Sequence, residues 1–375
     1  MQQASVSQPS SYAARRPGAR LAWIGQGFLL LLAAGTLFIL GRNLIQDPPL
    51  FAQFILSGLQ LGFVYALIAL GYTMVYGIVK LINFAHGDVF MCGAFISFYA
   101  VTRFQLHVWP AAVFPNMAPG LVVVIGSLTV MLLSMVVCAA LAITIERVAY
   151  KPLRDAPRIA ALITAIGVSF FLEYFGALGF VFSSRFIPYQ RPFDVVAWYI
   201  KDGIHSIQPG QAPPGGSITF SNIFLIIVVA SVLIQVLLQF LVRQTKIGKA
   251  MRAASFDKPT ARLMGINVDQ VISFTFAVGA AFAGLGGVLY AVAYSSINSL
   301  MGILPGLKAF IAAVMGGIGS IPGAFVGALI MGQAEALTMG YISTPMRDAV
   351  AFTILIIVLL VRPTGIFGEP EKEKA

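Results

Sequence analysis

Asn83, His86 and Asp88 place an amide, an imidazole and a carboxylate within the stretch Lys80-Leu-Ile-Asn83-Phe84-Ala-His86-Gly87-Asp88. Such groups can carry a proton, hold a solute or line a wet path. They interrupt an apolar run from Leu50 to Val101 that is too long for one membrane helix. Gly71 and Gly77 precede them and Gly93 follows. At membrane depth they must face water or protein, because a charge facing lipid costs about 2.5–3.5 kcal/mol at a helix centre. Transporters use broken helices of this kind to present helix ends and carbonyls to a translocation path. A polar cytosolic turn, with Lys80 as an interface anchor, accounts for the same residues, so both readings stand. Asn83, Phe84, His86 and Asp88 are the candidates for lining a path.

A second break is the series Gly316-Gly317-Ile-Gly319-Ser-Ile-Pro322-Gly323-Ala-Phe-Val-Gly327. Gly319, Gly323 and Gly327 recur every fourth residue, as do Gly58/Gly62 and Gly279/Ala283/Gly287. Small faces let helices approach closely where lipid offers no hydrophobic drive, so packing is the default reading. Gly316, Gly317 and Gly319 are also carried as path candidates. Glu173, Lys308 and Glu335 fall inside predicted spans. Intramembrane charges are functional candidates, unless they lie near a span end and snorkel or pair.

Covalent chemistry has no support. No nucleophile–base set or metal-ligand cluster stands out, and His107 and His205 fall in predicted loops. Cys92 and Cys138 lie inside apolar runs and read as small buried thiols. Nothing matches Gly-x4-Gly-Lys-Ser/Thr, and the Gly248-Lys249 pair is followed by Ala. The chain is expected to hold no cofactor or metal and not to be an enzyme.

The elements that position these residues follow from composition. The chain is 58% hydrophobic and 10% charged, with mean hydropathy +0.88. Soluble domains carry about 25% charge, so this is an integral membrane protein. Recurring apolar runs of about 20 residues predict helices, not a barrel. Spans are expected near 22–41, two within 50–101, then 119–145, 159–182, 220–242, 269–293, 306–318, 321–340 and 346–361. The class is all-α, a polytopic bundle of about 8–10 spans with broken or re-entrant segments. Residues 306–318 make the count uncertain between nine and ten, since ~14 residues give roughly 21 Å of helix. Ten is favoured, with that one thin or broken. Residues 1–20 read as a disordered cytosolic tail, 21–365 as the transmembrane domain and 366–375 as a charged tail. Gly41-Arg42-Asn43 is a poor cleavage site, so the first span is expected to be kept.

Net charge is +10, but the basic residues cluster between spans, which is an orientation signal and not one for nucleic acid. Arg15, Arg16 and Arg20 precede the first span. Arg147, Lys151, Arg154 and Arg158 fill the loop 146–158, and six basic residues against one acid fill 243–267. These three segments are expected in the cytosol. The loop 183–219, with Pro209, Pro213, Pro214, Gly215 and Gly216, is expected outside as an irregular segment.

The basic loop carries more than orientation. Ile247–Ser255 has good helix formers, Pro259 suits a new helix start, and Gly265 suits a stop. It therefore predicts two short helices broken at 256–258. Ala250, Met251, Ala253, Ala254 and Phe256 offer a small apolar surface to a soluble partner. A basic amphipathic helix lying on the anionic leaflet is the alternative.

Four segments in order resemble one family. They are Gly58–Gly77 running into Ile82-Asn83-Phe84-Ala85-His86-Gly87-Asp88; Glu146-Arg147-Val-Ala-Tyr150-Lys-Pro152-Leu153-Arg154 with Ile163–Ser169; Arg252–Gly265; and Ala312–Gly327. Across roughly 50–365 the chain is similar to the LivH-type permease subunit of bacterial branched-chain amino acid ABC importers. The resemblance implies an ABC importer permease fold in the bacterial inner membrane, multi-pass, with a cytosolic amino terminus. It implies a second related permease, two cytosolic ATPases that bind ATP and Mg, and a periplasmic substrate-binding protein. It also implies a coupling element at Lys249–Gly265 within the loop 243–268, carrying Lys249, Ala250, Met251, Ala253, Ala254, Ser255, Phe256, Asp257 and Gly265. The tail before residue 50 and the loop 183–219 look longer than the family pattern.

Within this family the cargo could also be urea, an amide or another amino acid. A proton-coupled secondary transporter acting through His86 and Asp88 is a remote alternative, and a membrane enzyme lacks a catalytic set.

Overall fold

The computed structural model describes residue 35 and residues 38–154, 156–208 and 211–368. The expected tail 1–20, most of the span 22–41 and residues 369–375 of the charged tail lie outside the described residues. The chain divides into two compact units at Phe51/Ala52, and the architecture below is that of the second.

The helices are α1 (Pro48–Val79), α2 (His86–Thr102), the short α3 (Trp109–Val113), α4 (Pro119–Ile145), α5 (Arg158–Ala177), α6 (Asn222–Gln244), α7 (Lys246–Phe256), α8 (Lys258–Leu263), α9 (Val268–Tyr294), α10 (Ile303–Gly316), α11 (Ile321–Tyr341) and α12 (Arg347–Val361). Among the described residues, α1, α4, α5, α6, α9, α11 and α12, with their terminal turns, are long and apolar enough to cross a membrane. Every span expected after residue 50 has a helix. The wide turn Glu146–Tyr150 and the tight turn Lys151–Leu153 continue α4.

Backbone contact at small residues sets the packing. α9 lies against α2 and α4, where a Cβ on Gly93 would fall 2.5 Å from Gly284 Cα. The Ser134 hydroxyl of α4 donates to the Gly93 carbonyl at 2.9 Å. Gly58 and Gly62 of α1 meet α11, and Gly323 and Gly327 of α11 meet α10. Such contacts replace the hydrophobic drive that lipid does not supply.

Two helices are short, with 17 and 14 residues. After Val79 the chain turns at Lys80 (φ 60°) and restarts as α2 at His86. His86 packs against Gly71, where a Cβ would strike its imidazole. Gly71 lies eight residues before Val79, about 12 Å of helix, so residues 80–85 climb back into the bundle. α10 has 14 residues, about 21 Å against a core of ~30 Å. It is entered through residues 295–302, and Gly302 and Gly306 press on Gly87, so the two short helices start side by side. Gly317 (φ 106°) and Gly319 (φ 98°) then turn the chain into α11 with backbone angles that side chains disfavour.

One end of the bundle is basic. α6 runs into α7 and α8 there, and Lys258 Nζ donates to the Val79 carbonyl at 3.3 Å, placing the end of α1 beside α8. Gly77, Arg243, Gly319 and Phe367 line one cavity at this end. The amides of Ile366 and Phe367 donate to the Met315 and Gly316 carbonyls at 2.9 Å, so α12 returns to the basic end.

The opposite end carries strand structure where an irregular segment was expected. β1 (Ile187–Pro188) pairs with β5 (Ser296–Ile297), and β2 (Ala197–Ile200), β3 (Ile204–Ser206) and β4 (Ile218–Ser221) form an antiparallel sheet in the order β3-β2-β4. Strands of two to four residues are too short for alternation to register in a sequence, and the partner of Ile187 is Ile297, far along the chain.

Candidate functional site

At the basic end, the Thr245 side chain accepts from the Gly248 amide at 3.0 Å and caps α7. Asp257 caps α8, accepting from the Thr260 amide at 3.4 Å and the Thr260 hydroxyl at 2.7 Å. The break expected at 256–258 is therefore a helix stop followed at once by a new capped start. The faces divide differently from a simple docking patch. Met251 and Ala254 are fully buried against the bundle, and Gly248 with them. Ala250, Ala253, Ser255 and Asp257 are half-buried, and Lys249 and Gly265 exposed. The apolar surface open outward is Phe256, 79% exposed, with Leu263 at 87% and Met264 at 78%. Leu263 and Met264 were passed over in the sequence because they follow the break.

An ion cluster roots this loop. Arg154 pairs with the fully buried Glu146 and, at 2.5 Å, with Asp269 at the start of α9. Lys151 lies 3.0 Å from Asp269, and Arg262 of α8 lies 3.8 Å from the same carboxylate. The Ser273 hydroxyl donates to Glu146 Oε2 at 2.6 Å. Burial, then the Arg154 and Arg262 guanidiniums, hold the Lys258 ammonium below the usual lysine range. Beside the cluster, the Tyr150 hydroxyl donates to Asn83 Oδ1 at 2.6 Å. The segments Glu146–Arg154 and Ile82–Asp88, separate in sequence, thus meet.

The structure separates the other path candidates. Asn83 belongs to the basic end. Phe84, His86 and Asp88 lie deeper, where Phe84 meets Phe310 with ring centres 6.0 Å apart and His86 meets Tyr72 at 4.7 Å. Ser169 of α5 donates to Asp88 Oδ2 at 2.5 Å and lies 3.5 Å from Glu173 Oε1. A cavity of about 200 Å³ opens here, lined by Phe84, Asp88, Ser169, Glu173, Gly302 and Phe310. Gly316 packs against the Gly323 carbonyl, and Gly317 meets Gly368, so these two are packing and turn positions at the basic end.

The opposite end holds a cavity of about 420 Å³ between α1, α9, α10, α11 and the start of α12. Lys308 and Glu335 pair in its wall at 2.6 Å. The sequence marked both as charges within predicted spans, functional unless they snorkel or pair near a span end. It missed their partners Tyr65, Arg347 and Asp348, although the dipeptide Arg347-Asp348 at a span start was a legible signal.

Residues 54–359 match the family described as branched-chain amino acid transport system/permease component. The high-affinity branched-chain amino acid transport system permease protein LivH of Salmonella typhimurium is 42% identical over 328 residues, 86% of this chain and 97% of that protein. LivH of Escherichia coli K12 matches with the same identity and coverage. The corresponding permease BraD of Pseudomonas aeruginosa is 40% identical over 324 residues, covering 86% and 98%.

Proposed function

The chain belongs to the branched-chain amino acid transport permease family, and we propose that it is the membrane permease of an ATP-driven importer of branched-chain amino acids. The observation that carries this is the 42% identity across almost the whole length of a permease of that activity. The basic end faces the cytosol of a bacterial cell across its inner membrane, as the positive-inside rule requires. The amino terminus lies on the same side.

α7 and α8 are the coupling element. Phe256, Leu263 and Met264 offer an exposed apolar docking patch, and Lys249 and Arg252 flank it with charge. Energy is supplied by two partner ATPases, which bind the ATP and Mg. A second related permease completes the path, and a periplasmic binding protein delivers cargo at the end formed by β1–β5. When the ATPases close, α8 moves with them. Its Lys258 bond to the end of α1 and its Arg262 contact to the Asp269 cluster link that motion to the break at residues 80–85.

The test is uptake of labelled leucine by proteoliposomes holding the assembled importer and its binding protein. Uptake should require ATP, and a proton gradient without ATP should give none. Gradient-driven uptake by this chain alone, or ATP-driven uptake of urea in preference to leucine, would overturn the proposal.

A further inference from the structure

The cavity at the end away from the coupling element contains a closed ring of alternating charges. Lys308 Nζ lies 2.6 Å from Glu335 Oε1 and 2.7 Å from Asp348 Oδ1. Arg347 Nε lies 3.6 Å from both Glu335 Oε1 and Asp348 Oδ1. The ring therefore has two tight edges, both made by Lys308, and two loose ones, both made by Arg347. Its depth is graded in the same sense. The Lys308 and Glu335 side chains are 4% and 3% exposed, whereas those of Arg347 and Asp348 are 37% and 36% exposed at the mouth. The Tyr65 hydroxyl donates to Glu335 Oε2 at 2.9 Å and holds the floor. Facing the ring is an apolar wall of Leu61, Met301, Leu304 and Met339.

Packing alone does not require this arrangement. A buried ion pair is costly to desolvate and is weak evidence of stabilisation. The 3.6 Å contacts are too long for N–H···O hydrogen bonds, so the Arg347 fork, which suits bidentate carboxylate binding, is paired with the two acids only loosely, through Nε. A ligand with a carboxylate and an ammonium on one carbon matches the loose Arg347–Asp348 edge in both sign and spacing. The volume, about 420 Å³, lies within the roughly 300–1,000 Å³ usual for small-molecule sites.

We propose that this cavity is a docking site in the permease itself for a zwitterionic aliphatic amino acid. Arg347 takes the α-carboxylate, Asp348 the α-ammonium, and the aliphatic side chain lies on the Leu61–Leu304–Met339 wall. The Lys308–Glu335 pair holds both reading groups in register. Net charge in the ring is zero, so a zwitterion enters and leaves without unbalanced charge, as a transient station requires. The site rests on the importer reading and adds a checkpoint after delivery.

The test uses the assembled importer in nanodiscs without binding protein, titrated with labelled leucine. Leucine is expected to bind in the millimolar range or tighter. Isoamylamine, which lacks the carboxylate, and isocaproate, which lacks the ammonium, should compete at least about tenfold more weakly, as loss of one charge-assisted contact implies. Arg347→Gln and Asp348→Asn should each weaken leucine binding by a similar factor in complexes that still elute as intact assemblies. If Arg347→Gln does not assemble, Asp348→Asn and the two analogues on the wild-type complex decide. Wild-type importer that transports leucine but binds none of it would overturn this site and leave the importer reading intact. Equal competition by the analogues, or variants that bind like wild type, would also overturn it. Failure of the wild-type complex to transport leucine would overturn the importer reading instead.

Discussion

Glu146 shows how far one residue depends on partners distant in sequence. Its side chain is fully buried, its charge is balanced by Arg154, and its Oε2 accepts from the Ser273 hydroxyl. Removing the cation strands a buried carboxylate, which typically costs about 3–5 kcal/mol. Arg154→Met is therefore expected to lower the melting temperature of the purified permease sharply, and Glu146→Gln added to it should restore more than half of the loss. Equal melting of the single and double variants would show that the pair is not the source. The sequence displayed both residues inside the segment Glu146–Arg154 but gave no sign of Asp269 or Ser273, which lie on another helix. Lys308 and Glu335 teach the same lesson. Each reads as a lone charge in an apolar run, and only the approach of α10, α11 and α12 makes them one ring.

At the scale of elements, the basic loop was legible almost to its caps. Pro259 after Asp257 predicts a stop and restart, and α7 and α8 meet there. What the sequence did not resolve was which face of α7 turns outward, because small apolar residues occupy most of its positions. Met251 and Ala254 face the bundle, so Ala254→Asp tests folding more than docking. The docking test belongs to the exposed residues. Phe256→Asp with Leu263→Asp should abolish co-purification of the ATPases while leaving the stability of the permease within about 1 kcal/mol of wild type, as surface changes usually do. Retained association would show that docking lies elsewhere. The segment 80–88 is the second case. Its polar residues announced a break, and the structure adds that His86 packs against Gly71, about 12 Å back along α1.

For the whole molecule, topology follows from the basic end. Leu263 lies in the basic loop, and Ile342, 54% exposed, follows α11 at the far end. A membrane-impermeant maleimide should label Leu263→Cys only from the cytosolic face and Ile342→Cys only from the periplasmic face, with Cys92 and Cys138 silent because both are buried. Labelling of both from one face would overturn this orientation. The sequence by itself determined the membrane class, the helices after residue 50, the family and the two short helices of the basic loop. These are carried by apolar run length, by cation clustering and by motifs whose residues are contiguous. Tertiary structure alone decided the two short helices meeting at Gly87 and Gly302, the Glu146–Arg154–Asp269 root of the loop and the ring around Lys308. The reason is physical: helix formation is a local property of the chain. The partner of a buried charge and the neighbour of a glycine are chosen by the packing of helices distant in sequence.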